Sequence, residues 1–160
     1  VRGEDDITAA MRRHGDTVWR VCLLRMGSRA DAQDAFQETF YSYATHDGVR
    51  FADEEHRKAW LVKVATNRCI DMLRVRSRVE PLDEGLELAD PASLESTACA
   101  ETKRVSEALA GLPANQRQAV YLTICEGYAP RDVAQMMGAP VKTVYSWIDR
   151  GKKHLKEALS

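Results

Sequence analysis

The chain has 160 residues, 44% of them hydrophobic and 29% charged, with a formal net charge of -1. That length suits one or two small domains, and the apolar share is too high for general disorder. No apolar run approaches the roughly 18 residues of a membrane span, and Val1-Arg2-Gly3-Glu4-Asp5-Asp6 has no signal-peptide form. A start on valine rather than methionine points to a trimmed or tagged chain. Cys22, Cys69, Cys99 and Cys125 are scattered, with no Cys-x-x-Cys pair and no histidine at zinc-finger spacing. They predict free thiols in a reduced, cytoplasmic protein that takes no metal and no cofactor.

No stretch shows the alternation of a strand, so the expected class is all-α, with two small helical domains. A first helix over 6–26 carries Ile7, Met11, His14, Val18 and Cys22 on one stripe and ends at Gly27-Ser28. His14 on that stripe reads as a packed histidine at the core's edge rather than a ligand. A second helix over 31–44 gathers Ala32, Phe36, Phe40 and Tyr43 on one side and Asp31, Asp34, Gln37, Glu38 and Tyr41 on the other. A third, over 55–76, is apolar around most of its circumference, which predicts the centre of its domain. Its one continuous polar stripe is Lys63, Asn67, Asp71 and Arg74. Residues 79–101, with Pro81, Gly85 and Pro91, read as a linker with a short helical piece near 92–101. The predicted domains are therefore 1–78 and 102–160.

The C-terminal domain carries the clearest pattern. Arg131 to Met137 forms a short helix, Gly138-Ala139-Pro140 a turn, and Val141 opens a second helix, the arrangement of a helix-turn-helix. Val144, Ile148, Gly151 and Leu155 share the face expected to pack on Val133 and Met137, with Trp147 at its margin. Lys142, Ser146, Asp149 and Lys153 point away, flanked by Tyr145 and Arg150. Short polar side chains and a lysine at a helix N-terminus suit base edges, whereas Arg150, Lys152 and Lys153 suit phosphates. Arg131, just after Pro130, adds a further phosphate contact. The alternative is a basic, solvated helix end in an unrelated three-helix bundle.

Net charge hides a block pattern. Residues 31–55 hold Asp31, Asp34, Glu38, Asp47, Asp53, Glu54 and Glu55 against Arg50 alone. Residues 56–78 reverse this, with Arg57, Lys58, Lys63, Arg68, Arg74, Arg76 and Arg78 against Asp71. Residues 79–101 are acidic without a base, and the C-terminal end is basic again. Phe51, His56 and Trp60 surround the start of the basic helix. Cations beside stacking platforms are what single-stranded nucleic acid requires; Trp60 serves equally well as core. The opposite charges of 79–101 and the two basic segments also fit a compact free state. No paired nucleophile and base emerges, so the expected chemistry is recognition and not catalysis.

Four segments in order resemble the extracytoplasmic-function (ECF) type of bacterial sigma factor. They are Asp31-Ala32-Gln33-Asp34-Ala35-Phe36-Gln37-Glu38-Thr39-Phe40; Ala59-Trp60-Leu61-Val62-Lys63-Val64-Ala65-Thr66-Asn67-Arg68-Cys69-Ile70-Asp71-Met72-Leu73-Arg74; Leu112-Pro113-Ala114-Asn115-Gln116-Arg117; and Pro140-Val141-Lys142-Thr143-Val144-Tyr145-Ser146. Together they span most of residues 7–159. The resemblance implies a specificity subunit of RNA polymerase that reads a -35 duplex and a -10 single strand. It assigns core-polymerase docking to Asp31, Asp34, Gln37, Glu38 and Tyr41. It assigns -10 contacts to His46, Phe51, His56, Trp60, Lys63, Asn67, Arg74 and Arg76, although Asn67 and Asp71 also suit mutual capping and helix packing. It assigns -35 contacts to Arg117, Arg131, Lys142, Thr143, Tyr145, Ser146, Arg150 and Lys153. The partners implied are core RNA polymerase, promoter DNA and an anti-sigma factor, with the acidic linker threading the polymerase channel.

Three departures stand out. Trp147 and Asp149 replace the arginine and histidine common in the family, Ala129-Pro130 replaces a Ser-Tyr-type pair and predicts weak capping, and the linker is short and carries no extra domain, which predicts no built-in sensor. A stand-alone helix-turn-helix regulator, whose N-terminal domain binds a ligand or dimerises, is the alternative reading.

Overall fold

Helices account for most of the described residues in the computed structural model, which describes residues 1–79, 104 and 107–159, with the side chains of 76–79 excepted. The linker assigned to 79–101 and its helical piece near 92–101 lie outside the described residues from position 80 onward. Helix α1 runs Glu4–Met26 and starts with Glu4, Asp5 and Asp6 against the positive end of the helix dipole. Helix α2, Arg29–Thr45, follows almost at once, its first turn capped by Ser28 Oγ accepting from the Asp31 N–H at 3.4 Å. Helix α3, Glu54–Val79, is capped by Asp53, whose Oδ1 accepts from the His56 N–H at 2.8 Å.

These three helices pack on one another around Val18, Val21, Leu24, Ala32, Ala35, Tyr43, Leu61, Val62 and Ala65, all buried. Each large apolar side chain so enclosed contributes about 1.5–3 kcal/mol. The expected stripe on α1 is right at His14, Val18 and Cys22, but Met11 is 41% exposed. Ala10, Gly15, Val21, Leu23, Leu24 and Met26 are buried instead. The reason is that α1 serves three partners, so its buried arc is wide toward its C-terminal end and shifted by one residue near Met11. His14 is the packed histidine expected of it: it is buried, with Nε2 2.8 Å from Glu54 Oε2 at the start of α3. Cys22, Cys69 and Cys125 are free thiols.

In the C-terminal half, residues 107–110 are helical and lead through Leu112-Pro113 into α4, Ala114–Val120. That helix widens into a π-helical turn over Tyr121–Cys125. Helix α5, Pro130–Met137, has proline at its first position and no side-chain cap from Ala129, as the Ala-Pro pair predicts. It closes on Gly138 at φ 64°, whose N–H reaches the Ala134 carbonyl. A left-handed residue there turns the chain sharply enough for helix α6, Val141–Leu159, to begin three residues later. Helix α6 buries Val144, Ile148 and Gly151. Gly151 sits against α4 so closely that a β-carbon would fall 2.2 Å from Val120 Cγ2. No strand occurs among the described residues, and no helix there is long and apolar enough to cross a membrane.

The two halves are bolted together. Arg117 of α4, 1% exposed, donates from Nε to the Leu24 carbonyl of α1 at 2.6 Å and from Nη1 to the carbonyls of Leu112 and Ala110 at 3.1 and 3.3 Å. Arg25 of α1 donates to Asn115 and, at 3.2 Å, to Gln118 Oε1. Gln118 in turn donates to Thr66 Oγ1 of α3 at 3.2 Å. At the rim, Lys58 of α3 pairs with Glu126 at 2.8 Å, and Glu126 also accepts from the Tyr121 hydroxyl at 2.6 Å. Helix α5 packs on α3 beside this seam.

Candidate protein and nucleic-acid interfaces

Three surfaces gather the predicted residues. On α2, Asp34, Gln37, Glu38 and Tyr41 are exposed and Asp31 is half-buried, while Ala32, Ala35, Thr39, Phe40 and Tyr43 on the other side are sealed in the core. Tyr41, 70% exposed, holds an aromatic ring in water beside the carboxylates. An exposed ring flanked by acids does not add to the core; it is surface available to a partner. One turn before Gln37, Gln33 lines a groove of about 410 Å³ between α1 and α2, shared with Met11, Asp16, Trp19, Arg29 and Phe36.

The second surface is built by the loop 46–53 and the outer side of α3. Phe51 is its hub, half-buried and stacked on Tyr43 at 6.2 Å with 18° between the planes. The ring meets Trp60 edge-on at 5.9 Å and His56 edge-on at 5.3 Å, while His46 lies 6.1 Å from Trp60. Trp60 packs against the core and remains half-exposed in the aromatic cluster. Lys63, Asn67, Asp71 and Arg74 are all exposed in line along α3, so Asn67 and Asp71 do not serve helix packing. The side chain of Arg76 lies outside the described residues. Lys58 and Arg68, also in the basic block, are turned elsewhere: Lys58 to Glu126 and Arg68 to Ser42 Oγ at 3.2 Å.

The start of the same helix is an electrostatic node. Glu54 faces His14 and takes ion pairs from Arg57 and, at 3.4 Å, from Arg13. The His14 hydrogen bond holds the Glu54 carboxyl below the usual carboxylate range, with Arg57 adding to the effect.

The third surface is α6. Lys142, Tyr145, Asp149, Arg150 and Lys153 are exposed, and Thr143, Ser146 and Trp147 are half-buried. Arg131 is exposed in the first turn of α5, on the supporting helix. Arg117 does not belong to this set. It was expected to contact DNA, but its guanidinium is enclosed and spent on three main-chain carbonyls, so it is a structural bolt of the seam. The run Ala119-Val120-Tyr121-Leu122 carried the signal: so much apolar circumference around α4 leaves Arg117 and Gln118 enclosed with it. Sequence reasoning also passed over Arg2, whose side chain binds the 46–53 loop.

Comparison with known proteins adds an independent line. Residues 10–79 match the family model of sigma-70 region 2, and residues 102–155 match that of sigma-70 region 4. The ECF RNA polymerase sigma factor SigM of Mycobacterium tuberculosis is 33% identical over 152 residues, covering 92% of this chain and 74% of that protein. SigE of Mycolicibacterium smegmatis is 30% identical over 156 residues, covering 94% of this chain and 60% of that one. Among solved structures, the sigma factor RpoE in complex with the anti-sigma factor NepR from Bartonella quintana superposes with a TM-score of 0.73 at 21% identity, over 96% of both chains. CnrH, solved in complex with the cytosolic domain of CnrY, gives 0.60 at 23% identity, over 98% of this chain and 89% of that one.

Proposed function

The chain belongs to the extracytoplasmic-function group of the sigma-70 family, and from that premise we propose how its surfaces divide the work of a promoter-specificity subunit. Residues 1–78 hold the core enzyme and capture the -10 strand, and residues 102–160 read the -35 duplex, with the acidic linker between them. The observation that carries this reading is that Asp34, Gln37, Glu38 and Tyr41 on α2, Lys63, Asn67 and Arg74 on α3, and Lys142, Tyr145, Arg150 and Lys153 on α6 are exposed, while the opposite side of each of these helices is buried. Such faces present their charge outward to a partner.

Core polymerase docks on Asp31, Asp34, Gln37, Glu38 and Tyr41, where carboxylates meet a basic partner and set both orientation and encounter rate. The -10 strand lies along Lys63, Asn67, Arg74 and Arg76, with one or more unstacked bases received by His46, Phe51, His56 and Trp60. Base stacking at about 1–3 kcal/mol per base offsets the loss of pairing, so strand separation is driven by binding. Lys142, Thr143, Tyr145 and Ser146 face base edges of the -35 duplex, and Arg131, Arg150 and Lys153 hold its phosphates. The catalytic steps belong to the polymerase core. An anti-sigma factor restrains the chain, a reading supported by the similar sigma factor RpoE, solved in complex with the anti-sigma factor NepR.

Binding of the purified chain to bacterial core RNA polymerase, by fluorescence anisotropy at moderate salt, tests the reading. A one-to-one complex is expected, weakened by about a hundredfold or more in the double variant Asp34→Lys, Glu38→Lys, since close interfacial charge pairs couple by about 1.5 kcal/mol or more each. Wild-type affinity in a folded double variant would remove the docking face. Duplex DNA binding without any core binding would leave a stand-alone helix-turn-helix regulator.

A further inference from the structure

The loop between α2 and α3 has few ties of its own. The Val49 N–H reaches the His46 carbonyl at 3.2 Å, and the Ala52 N–H donates to His56 Nδ1 at 3.1 Å. His46 Nδ1 lies 2.7 Å from the Ser42 carbonyl and the Arg57 guanidinium carbon 5.2 Å from the Phe51 ring centre, but the widest set of ties comes from a residue at the opposite end of the domain's sequence. Arg2 donates from Nε to the Tyr43 carbonyl at 2.8 Å, and from Nη2 to the carbonyls of His46 and Val49 at 2.9 and 2.7 Å. Its backbone N–H adds a bond to the Ala44 carbonyl at 2.8 Å. The guanidinium carbon lies 4.4 Å from the centre of the Tyr43 ring and 5.3 Å from that of Phe51. Asp6 holds the guanidinium from behind at 3.5 Å and accepts from the Tyr43 hydroxyl at 2.5 Å. Only 9% of the Arg2 side chain is exposed.

This arrangement uses what is particular to arginine. A planar guanidinium presents five N–H donors in a fixed fork, so one side chain can bond carbonyls at the end of α2, at the loop's start and at its middle. Its flat face meanwhile lies against two rings. A lysine has the charge but not the fork. The carbonyls of Tyr43, His46 and Val49 point to Arg2, and the side chains of His46 and His56 stay exposed beside the half-buried Phe51 ring.

We propose that Arg2 is a positioning residue for promoter-strand capture: it holds loop 46–53 in the one shape that presents His46, Phe51 and His56 together to an unstacked base. The proposal rests on the reading that this loop receives the -10 strand. Arg2 itself, enclosed beneath the loop, touches no DNA.

The test compares wild type, Arg2→Ala and Arg2→Lys, each as the full chain assembled with bacterial core polymerase. Hydrogen exchange of the amides over 46–53 reads the loop. Sequencing of the bound fraction from a pool of single-stranded DNA, randomised over consecutive positions, reads base selection. In Arg2→Ala, exchange over 46–53 is expected to quicken by about tenfold or more. Base enrichment should flatten toward the input pool while core affinity stays at the wild-type level. Arg2→Lys, keeping one donor and the charge, should fall between the two on both readouts. Unchanged exchange in Arg2→Ala would show that Arg2 does not hold the loop. Faster exchange with undiminished base enrichment would reduce Arg2 to a merely structural tie. A wild-type holoenzyme that enriches no base would instead remove strand capture by this surface, and the positioning role with it.

Discussion

On the proposed reading the loop 46–53 and the turn 138–140 have the same task in the two halves of the molecule, which is to present a recognition surface outward, and they accomplish it differently. The turn closes within its own neighbourhood: Gly138 at φ 64° bonds back to Ala134, and α6 starts at Val141. The loop is held by Arg2 through bonds that span 41 to 47 residues of sequence. A locally closed element keeps its shape whenever its own residues are present. A remotely held one keeps it only while the rest of the domain is folded. The C-terminal surface should therefore tolerate damage elsewhere, and the N-terminal one should not.

The harshest way to break that contrast is to pull the bolt both halves share. Arg117→Met strands three buried carbonyls, one of them on α1, and is expected to cost about 3 kcal/mol or more in urea unfolding, since each buried acceptor left unpaired costs about 1–3 kcal/mol. If the contrast holds, the variant, compared below its unfolding transition, should lose exchange protection over 46–53 before it loses duplex binding. A stability within the error of wild type would show the seam to be incidental.

The C-terminal half has its own weak point, where α6 touches α4. Gly151→Val puts atoms where Val120 Cγ2 already sits, an overpacking expected to lower stability by about 1–3 kcal/mol and to shift α6 relative to α5. Duplex binding should fall in this variant while core-polymerase affinity stays put, the reverse of the acidic-face variant. Equal loss of both would mean that the halves do not behave as separate readers.

Within α6 the comparison can be sharpened residue by residue. Lys142→Ala and Ser146→Ala should each relax sequence preference at one position of the duplex, at about 1–3 kcal/mol per good base contact. Lys153→Ala should weaken binding evenly across sequences and reduce its salt dependence by about one phosphate's worth. Competition against a randomised duplex pool at two salt concentrations separates these outcomes. Indistinguishable variants would overturn the division of roles along the helix.

The smallest effect concerns the tie between α1 and α3. Because the Glu54 carboxyl is held below its ordinary value of 4.5, the folded state binds its proton less readily than the unfolded one. Its contribution is therefore complete above that value and is lost as pH falls through the depressed folded value. The contribution is modest, because the carboxylate is partly in water. Urea midpoints of wild type and Glu54→Gln should differ at neutral pH and converge under acid. A constant gap down to about pH 3 would place the origin of the difference elsewhere.

What the chain reveals before folding follows the same division. The three N-terminal helices and the helix-turn-helix were legible because periodicity, the Gly27-Ser28 stop and the Gly138-Ala139-Pro140 turn are local signals. The outward placement of Asp34, Glu38, Lys63, Asn67, Lys142 and Lys153 followed from those periods. Met11 was misplaced because α1 packs on three partners, and a stripe of one period cannot describe so wide an arc. Arg117 was legible only through the apolar run that follows it, and Arg2 could not be placed because the carbonyls it bonds lie 41 to 47 residues away and have no sequence signature. The resemblance assigned Arg117 to the -35 DNA, and its burial assigns it to the seam instead.

Arginines that end on carbonyls impose a one-sided constraint. Every residue carries a carbonyl, so the side chains at positions 24, 43, 46, 49, 110 and 112 can change without removing the acceptor, while the arginine cannot be replaced by another donor of the same reach. Pairs bound in this way leave no correlated substitutions for a coevolutionary contact search to detect. The carbonyl bonds at Arg2 and at Arg117 would thus go unseen by any method that infers contacts from paired changes, and at Arg2 only Asp6 and the rings of Tyr43 and Phe51 could register.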